Sequence, residues 1–193
     1  MNAFSERKMN VKGTAIVTLP KFIEQQFGSS GLEKWKGSLS AESQRIYAGQ
    51  IMVSDWYPIK EAYLDPTAAM CEMFYGGDKQ GARLLGRFAA DFSLKGVYKA
   101  FVKIHSVMAF CQRTANILRT YYDPCEAQVV LVEFNRAQLR ITLFPEPSEY
   151  AELRIAGWTE RAFEIHGRRN ARVEVTSSLA RGDAYTEFTG SWE

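Results

Sequence analysis

The sequence predicts an α+β fold in which an N-terminal helical part packs on a C-terminal antiparallel sheet of strand-strand-helix-strand-strand order. Two observations carry this. Between Ala127 and Trp192 the apolar residues recur first every second residue, then every third or fourth, then every second again. Before Tyr122 the spacing is helical, broken by Gly and Pro punctuation. A period of two marks strands and a period near 3.6 marks helices. Helices segregated from an antiparallel sheet are the stable way to bury both kinds of apolar face.

The sheet part spans residues 127–192. Val129, Val130, Leu131 and Val132 form a continuous apolar run ending at Phe134, which predicts a strand buried on both faces. Asn135 and Arg136 have the length of a hairpin turn. Leu139, Ile141 and Leu143 alternate with Gln138, Arg140 and Thr142, the pattern of a half-buried strand. Pro145 and Pro147 end strand pairing because proline donates no backbone hydrogen bond. Ser148 is the expected N-cap of a helix, with Glu149 and Glu152 in its first turns and Gly167 at its end. Ile155, Trp158, Ala162 and Ile165 form its inner stripe, and Glu152, Arg154, Glu160, Arg161 and Glu164 are placed on its outer face. Val173 and Val175 open another strand. Arg181, Gly182 and Asp183 form a turn, and Ala184 to Thr189 close the sheet with Phe188 facing in.

The helical part spans residues 12–122, preceded by residues 1–11 as a mobile arm. Thr14 to Thr18 reads as a short extended lead-in. Thr18 and Pro20 open a helix that Gly28 ends, and a second short helix surrounds Trp35. Ser40 caps a third, ended by Gly49. Asp55 to Pro58 reads as an aromatic loop, since the residue before a proline avoids the helical region. Helices follow through Ala62 and Tyr63, through Met70 to Phe74 after Asp65-Pro66, and through Leu85 to about Asp91 after the Gly76-Gly77-Asp78 break. The longest helical signal runs from Lys99 to about Thr120, with Ile104, Met108, Cys111, Ala115 and Leu118 on one stripe.

Composition excludes several classes. The 193 residues suit one domain, and 46% apolar with 24% charged residues is ordinary for a globular chain. A net charge of +2 with scattered basic residues gives no nucleic-acid footprint. No apolar run approaches a membrane span of about 20 residues. The first residues have no signal-peptide core. Three cysteines without CxxC spacing argue for reduced thiols and a cytoplasmic setting.

Gly157, Gly167, Glu174, Gly182-Asp183 and Glu187-Phe188, in that order, resemble the closing motif of the vinyl-reductase-like (4-vinyl reductase) domains. Lys12-Gly13, Phe27-Gly28 and Trp35 resemble the start of the haem nitric-oxide-binding domains of the same superfamily, which also holds subunits of a vesicle-tethering transport particle. Trp56-Tyr57-Pro58 resembles an uncharacterised, multi-copy myxobacterial branch. The resemblance covers most of the chain from Val11 to Trp192. It implies one ligand-binding domain of helices over a sheet, and a homodimer through N-terminal helices. The cysteines that vinyl-reductase-like domains carry in the last two strands are replaced here by Ser177, Ser178 and Thr186, so no metal site is expected.

For haem, the resemblance points to His105 on the long helix, where the nitric-oxide-binding family carries its ligand. That family's Tyr-x-Ser-x-Arg motif has no match in Glu133-Phe134-Asn135-Arg136 or Gln138-Leu139-Arg140, and the sequence therefore argues against haem. His166 is expected to cap a helix C-terminus. No nucleophile stands beside a base in a known catalytic spacing, and Gly76-Gly77-Asp78-Lys79-Gln80-Gly81 lacks the ending of a phosphate loop. Aromatic and methionine residues of the helical part are the candidate ligand pocket: Trp56, Tyr63, Met70, Phe74, Phe88, Met108 and Tyr121.

The expected role is a non-enzymatic cytoplasmic sensory or regulatory domain that binds an apolar small molecule and signals through a protein partner. An interaction or scaffold module that has lost its ligand is the alternative, and a haem gas sensor through His105 is the second alternative.

Overall fold

A computed structural model describes residues 8–95 and 106–193. Its elements form a helical half and a sheet half, with a small sheet joining them. The helical half holds α1 (Gly13–Ile16), α2 (Thr18–Ser38), α3 (Ala41–Ala48), a π-helical turn (Lys60–Leu64), α4 (Asp65–Tyr75), α5 (Gln80–Lys95) and α6 (Val107–Tyr121). The small sheet is β1 (Asn10–Lys12) between β2 (Trp56–Pro58) and β3 (Tyr122–Asp123). The sheet half is β4 (Glu126–Val132), β5 (Arg136–Leu143), α7 (Glu149–Ile165), β6 (Arg172–Ser177) and β7 (Thr186–Ser191). Its strands are antiparallel in the order β4-β5-β7-β6.

The α+β architecture follows from the two apolar periods. Helices α6 and α7 cover one face of the large sheet. Leu139, Ile141, Val173 and Phe188 point into that layer and meet Phe110, Cys111, Ile155 and Phe163. Directly opposite Phe188 on β7 stands Leu139 on β5, and the next pair is Arg140 with Glu187 on the other face, joined by an ion pair at 2.7 Å. A second core fills the helical half around Trp35, whose indole N–H donates to the Pro66 carbonyl at 3.0 Å.

Local signals hold where a side chain closes its own turn. Ser148 Oγ accepts from the Tyr150 N–H and Ser40 Oγ from the Ser43 N–H. Gly28 (φ 71°) kinks α2 into two segments, and Gly76 (φ 60°) ends α4 in the left-handed region that glycine favours.

Several expectations are corrected. The arm over residues 1–11 ends sooner, because Met9 and Val11 are fully buried and Asn10–Lys12 is a strand; residues 1–7 lie outside the described residues. Residues 14–16 are helical, not extended, and Trp56–Pro58 is a strand rather than a loop. The run 129–132 lies on the sheet's edge, with Val130 half-exposed, and Phe134 stands 95% exposed at the hairpin tip. An apolar run cannot tell an edge strand from a central one, since neighbours in the sheet are set by the whole topology. The described part of the long helix starts at Val107. Ser106 before it is extended, and its Oγ accepts from the Ala109 N–H. The predicted start at Lys99, with Ile104, lies outside the described residues.

The outer face assigned to α7 is also corrected. Glu152 and Arg154 are 6% and 3% exposed. Glu160, Arg161 and Glu164 do not face open solvent but pair with α5: Arg83 to Glu160 at 2.9 Å, Arg87 to Glu160 at 2.6 Å and to Glu164 at 2.9 Å, and Arg161 to Asp91 at 3.0 Å. A charged residue is buried when its partners are buried with it, and partners on another helix leave no mark in the local pattern.

Candidate functional site

A small cavity lies where the helical and sheet halves meet. Thr14 and Ala15 come from α1, Tyr63 from the π-helical turn, and Gly86, Ala89 and Ser93 from α5. Ile117, Leu118 and Tyr121 come from α6, Tyr122 from β3, and Arg154, Ile155 and Trp158 from α7. The site is thus built from both halves and the small sheet between them. Its volume is about 40 Å³, room for a few water-sized molecules.

The walls are mostly aliphatic and aromatic, with one cation and three phenols. The Arg154 guanidinium stacks 3.7 Å over the Tyr63 ring and donates to Thr67 Oγ1 at 2.8 Å and to the Ala15 carbonyl at 2.9 Å. Tyr63 and Tyr122 share one hydrogen bond between their hydroxyls at 2.7 Å. Burial pushes the Tyr122 phenol well above its ordinary value of 10.0, so this ring stays neutral at its end of the cavity. Trp158 Nε1 donates to Ser93 Oγ at 3.3 Å, tying α7 to α5 at the cavity. Such an arrangement can bind and orient a small ligand. Among the described residues that line it, none is a thiol, imidazole or carboxylate that could act as nucleophile or general base.

Of the pocket residues expected from sequence, Tyr63 and Tyr121 line this cavity. Met70, Phe74 and Phe88 belong to the second core, where Phe74 stacks on Phe27 and Phe88 meets Phe22 edge-on. Trp56 and Met108 are exposed, at 43% and 44%, and the Lys12 ammonium lies over the Trp56 ring. His105 lies outside the described residues. His166 closes α7 as expected, with its ring against Phe110. Sequence reasoning passed over Arg154, yet its position carried a signal. It stands three residues after Ala151 and four before Trp158, inside the buried stripe rather than opposite it.

A wider open depression of about 870 Å³ lies beside Gln80, Arg83, Glu160 and Arg172, but its central charges, Arg83 and Glu160, are already paired with each other. Among the described residues no group of three or more His, Cys, Asp and Glu side chains is arranged to hold a metal ion, and no helix is long and apolar enough to cross a membrane.

No protein-family model and no curated protein matches the sequence. Solved structures do match. An H-NOX protein from S. oneidensis in the Fe(II)NO ligation state is 11% identical, with a TM-score of 0.71 over 94% of this chain and 99% of that one. The Fe(II) unliganded H-NOX protein from K. algicida is 11% identical, with a TM-score of 0.69 over 94% and 96%. A mutant of T. Tengcongensis H-NOX is 11% identical, with a TM-score of 0.62 over 94% and 97%. At this identity the likeness is one of fold, and this chain has the H-NOX fold.

These neighbours overturn the reading against haem. The mismatch to a short motif was its ground, whereas the fold is shared along 94% of the chain with proteins solved in Fe(II) states. The described cavity is nevertheless far smaller than the roughly 300–1,000 Å³ of a site for a cofactor-sized molecule. None of its lining residues is a histidine, cysteine or methionine. The histidine that the sequence offers as a haem ligand, His105, lies outside the described residues.

Proposed function

We propose that this chain is a non-enzymatic, cytoplasmic sensory domain. It takes a small ligand at the junction of its two halves and passes the change to a protein partner or to a second copy of itself. The observation that carries this reading is the cavity's position. It is lined by α1, α5, α6 and α7 together, so whatever fills it bears on the helices and on the element that anchors the sheet. The shared fold supports the reading, since the neighbours include an H-NOX protein solved with NO on Fe(II). Kinship to the vinyl-reductase-like branch, and to its myxobacterial multi-copy members, is part of the proposal and rests on Gly157, Gly167, Glu174, Gly182 and Trp56 to Pro58.

Haem is the first ligand to test. When bound it would supply an iron that coordinates a diatomic gas. This chain's contribution would turn on His105, because no histidine, cysteine or methionine lines the described cavity. Titration of the purified protein with haem, followed by its Soret absorption, should give a saturable band that His105→Gly shifts or abolishes. A wild type that forms no band overturns haem as the ligand. An unchanged band in the variant removes His105.

The small cavity favours a second reading, an interaction module that keeps the fold without a ligand. Native mass spectrometry separates the two: extra mass lost on denaturation supports the sensor, and a ligand-free protein that copurifies with a stoichiometric partner supports the module.

A further inference from the structure

Arg154 is an arginine with only 3% of its surface exposed. No aspartate or glutamate among the described residues makes an ion pair with it. The two acceptors of its guanidinium, Thr67 Oγ1 and the Ala15 carbonyl, are neutral. A guanidinium carries five N–H donors, and two are spent on those acceptors. Burying a cation is costly unless a counter-charge goes with it. Glu152, two residues away on α7, shows what completion looks like here: its buried carboxylate accepts from Ser178 Oγ and Thr186 Oγ1, both at 2.6 Å, and from the Ala180 N–H at 3.3 Å. Arg154 has no comparable shell, and it lines the cavity.

We infer that the cavity binds a short-chain carboxylate, with Arg154 as its counter-ion. This rests on the ligand-binding reading of the same cavity and names the ligand's class. The carboxylate is planar and fits the guanidinium fork through two parallel hydrogen bonds. The Tyr63–Tyr122 hydroxyl pair stands nearby as a further donor, since two hydroxyls that share one hydrogen bond keep one O–H to give. Ala89, Ile117 and Ile155 offer an apolar wall to a short tail. One cation balances one negative charge, so a dianion such as phosphate would keep an unpaired charge in an apolar enclosure. A volume of about 40 Å³ limits the ligand to a few non-hydrogen atoms, the range from formate to propionate.

The test is thermal unfolding of the full chain in sodium propionate against sodium chloride at equal ionic strength. A saturable rise of about 3–6 °C is expected at a tenfold excess over Kd. Arg154→Met, which keeps most of the volume and removes the charge, should lose it. Ala89→Leu, which fills the cavity from α5 and leaves the guanidinium in place, should lose it too, and it serves if Arg154→Met does not fold. Either variant retaining the full rise overturns the inference. So does a wild type with no saturable rise, or an equal rise in sodium nitrate, which would assign the site to small inorganic anions. Haem uptake without a propionate effect overturns this inference alone and leaves the proposed function standing. A protein that responds to neither overturns both.

Discussion

Gly86 on α5 and Gly157 on α7 bring two helix backbones into direct contact. A Cβ on Gly86 would be driven into the carbonyl oxygen of Arg154, and one on Gly157 into that of Arg83. The obstacle in each case is backbone, which cannot swing aside as a side chain can. The close crossing also lets Arg83, Arg87 and Asp91 reach their partners on α7.

Gly86→Ala or Gly157→Ala should therefore push the two helices apart. The expected loss is about 1–3 kcal/mol, a fall of roughly 3–10 °C in Tm. Gly37→Ala, where nothing lies within contact of an added Cβ, is the control. Equal melting of all three variants would sink the argument.

Tyr63 and Tyr122 are both buried, and their hydroxyls share one hydrogen bond. Tyr63→Phe leaves a buried hydroxyl without its partner and should cost about 1–2 kcal/mol. Replacing both by Phe removes the two polar groups together and should cost less than the sum of the single changes. A double-mutant cycle in urea measures this, and strict additivity would show that the pair contributes nothing.

Glu164 sits between Arg87 and Arg161, which donate to it at 2.9 and 2.7 Å. Burial raises its pKa, but the hydrogen bonds and charges of both guanidiniums outweigh burial and leave it below its ordinary 4.5. A carboxyl more acidic in the folded state adds stability that is complete above its unfolded pKa and is lost as pH falls through the folded one. Stability should thus decline below about pH 5, and Glu164→Gln should flatten that decline. Urea midpoints at neutral and acid pH test it. The same acid loss in wild type and variant would remove Glu164 from the account.

All three cysteines are held as thiols. Burial pushes Cys71 and Cys111 up to about 11 and Cys125 to about 12. Cys125 keeps some accessible area, yet the chain around it is dense enough to desolvate its sulfur. At pH 8 iodoacetamide should label each at least about 100-fold more slowly than in the unfolded chain, where thiol pKa values lie near 8.5. Rapid labelling of any one, mapped by peptide mass, would contradict its burial.

What the sequence disclosed depended on the range of the forces involved. Ser40, Ser148, Gly28 and Gly76 act within one turn of chain, and the elements they bound were legible. So was the alternation that puts Leu139, Ile141, Val173 and Phe188 in the core. The small sheet was not, because its strands are two or three residues long and pair Asn10 with both Pro58 and Asp123. Nothing local marks such a pairing. The candidate site was half legible. Tyr63 and Tyr121 were found as aromatics in the helical part, but Arg154 was set aside because charge was taken to mean exposure. The alanines and Gly86 that shape the cavity leave no compositional trace.

Helix α7 carries Glu152 and Arg154 two residues apart, about 200° around the helix axis from each other. The first is fastened to Ser178, Ala180 and Thr186 of the sheet half, the second to Thr67 and Ala15 of the helical half. One helix is therefore a keel common to both sides of the molecule. Prising off either side would break hydrogen bonds to a charged group, each contributing roughly 1.5–3 kcal/mol. The halves are thereby bound into one cooperative unit, and the chain should melt in a single transition although its two cores are built from different stretches of sequence.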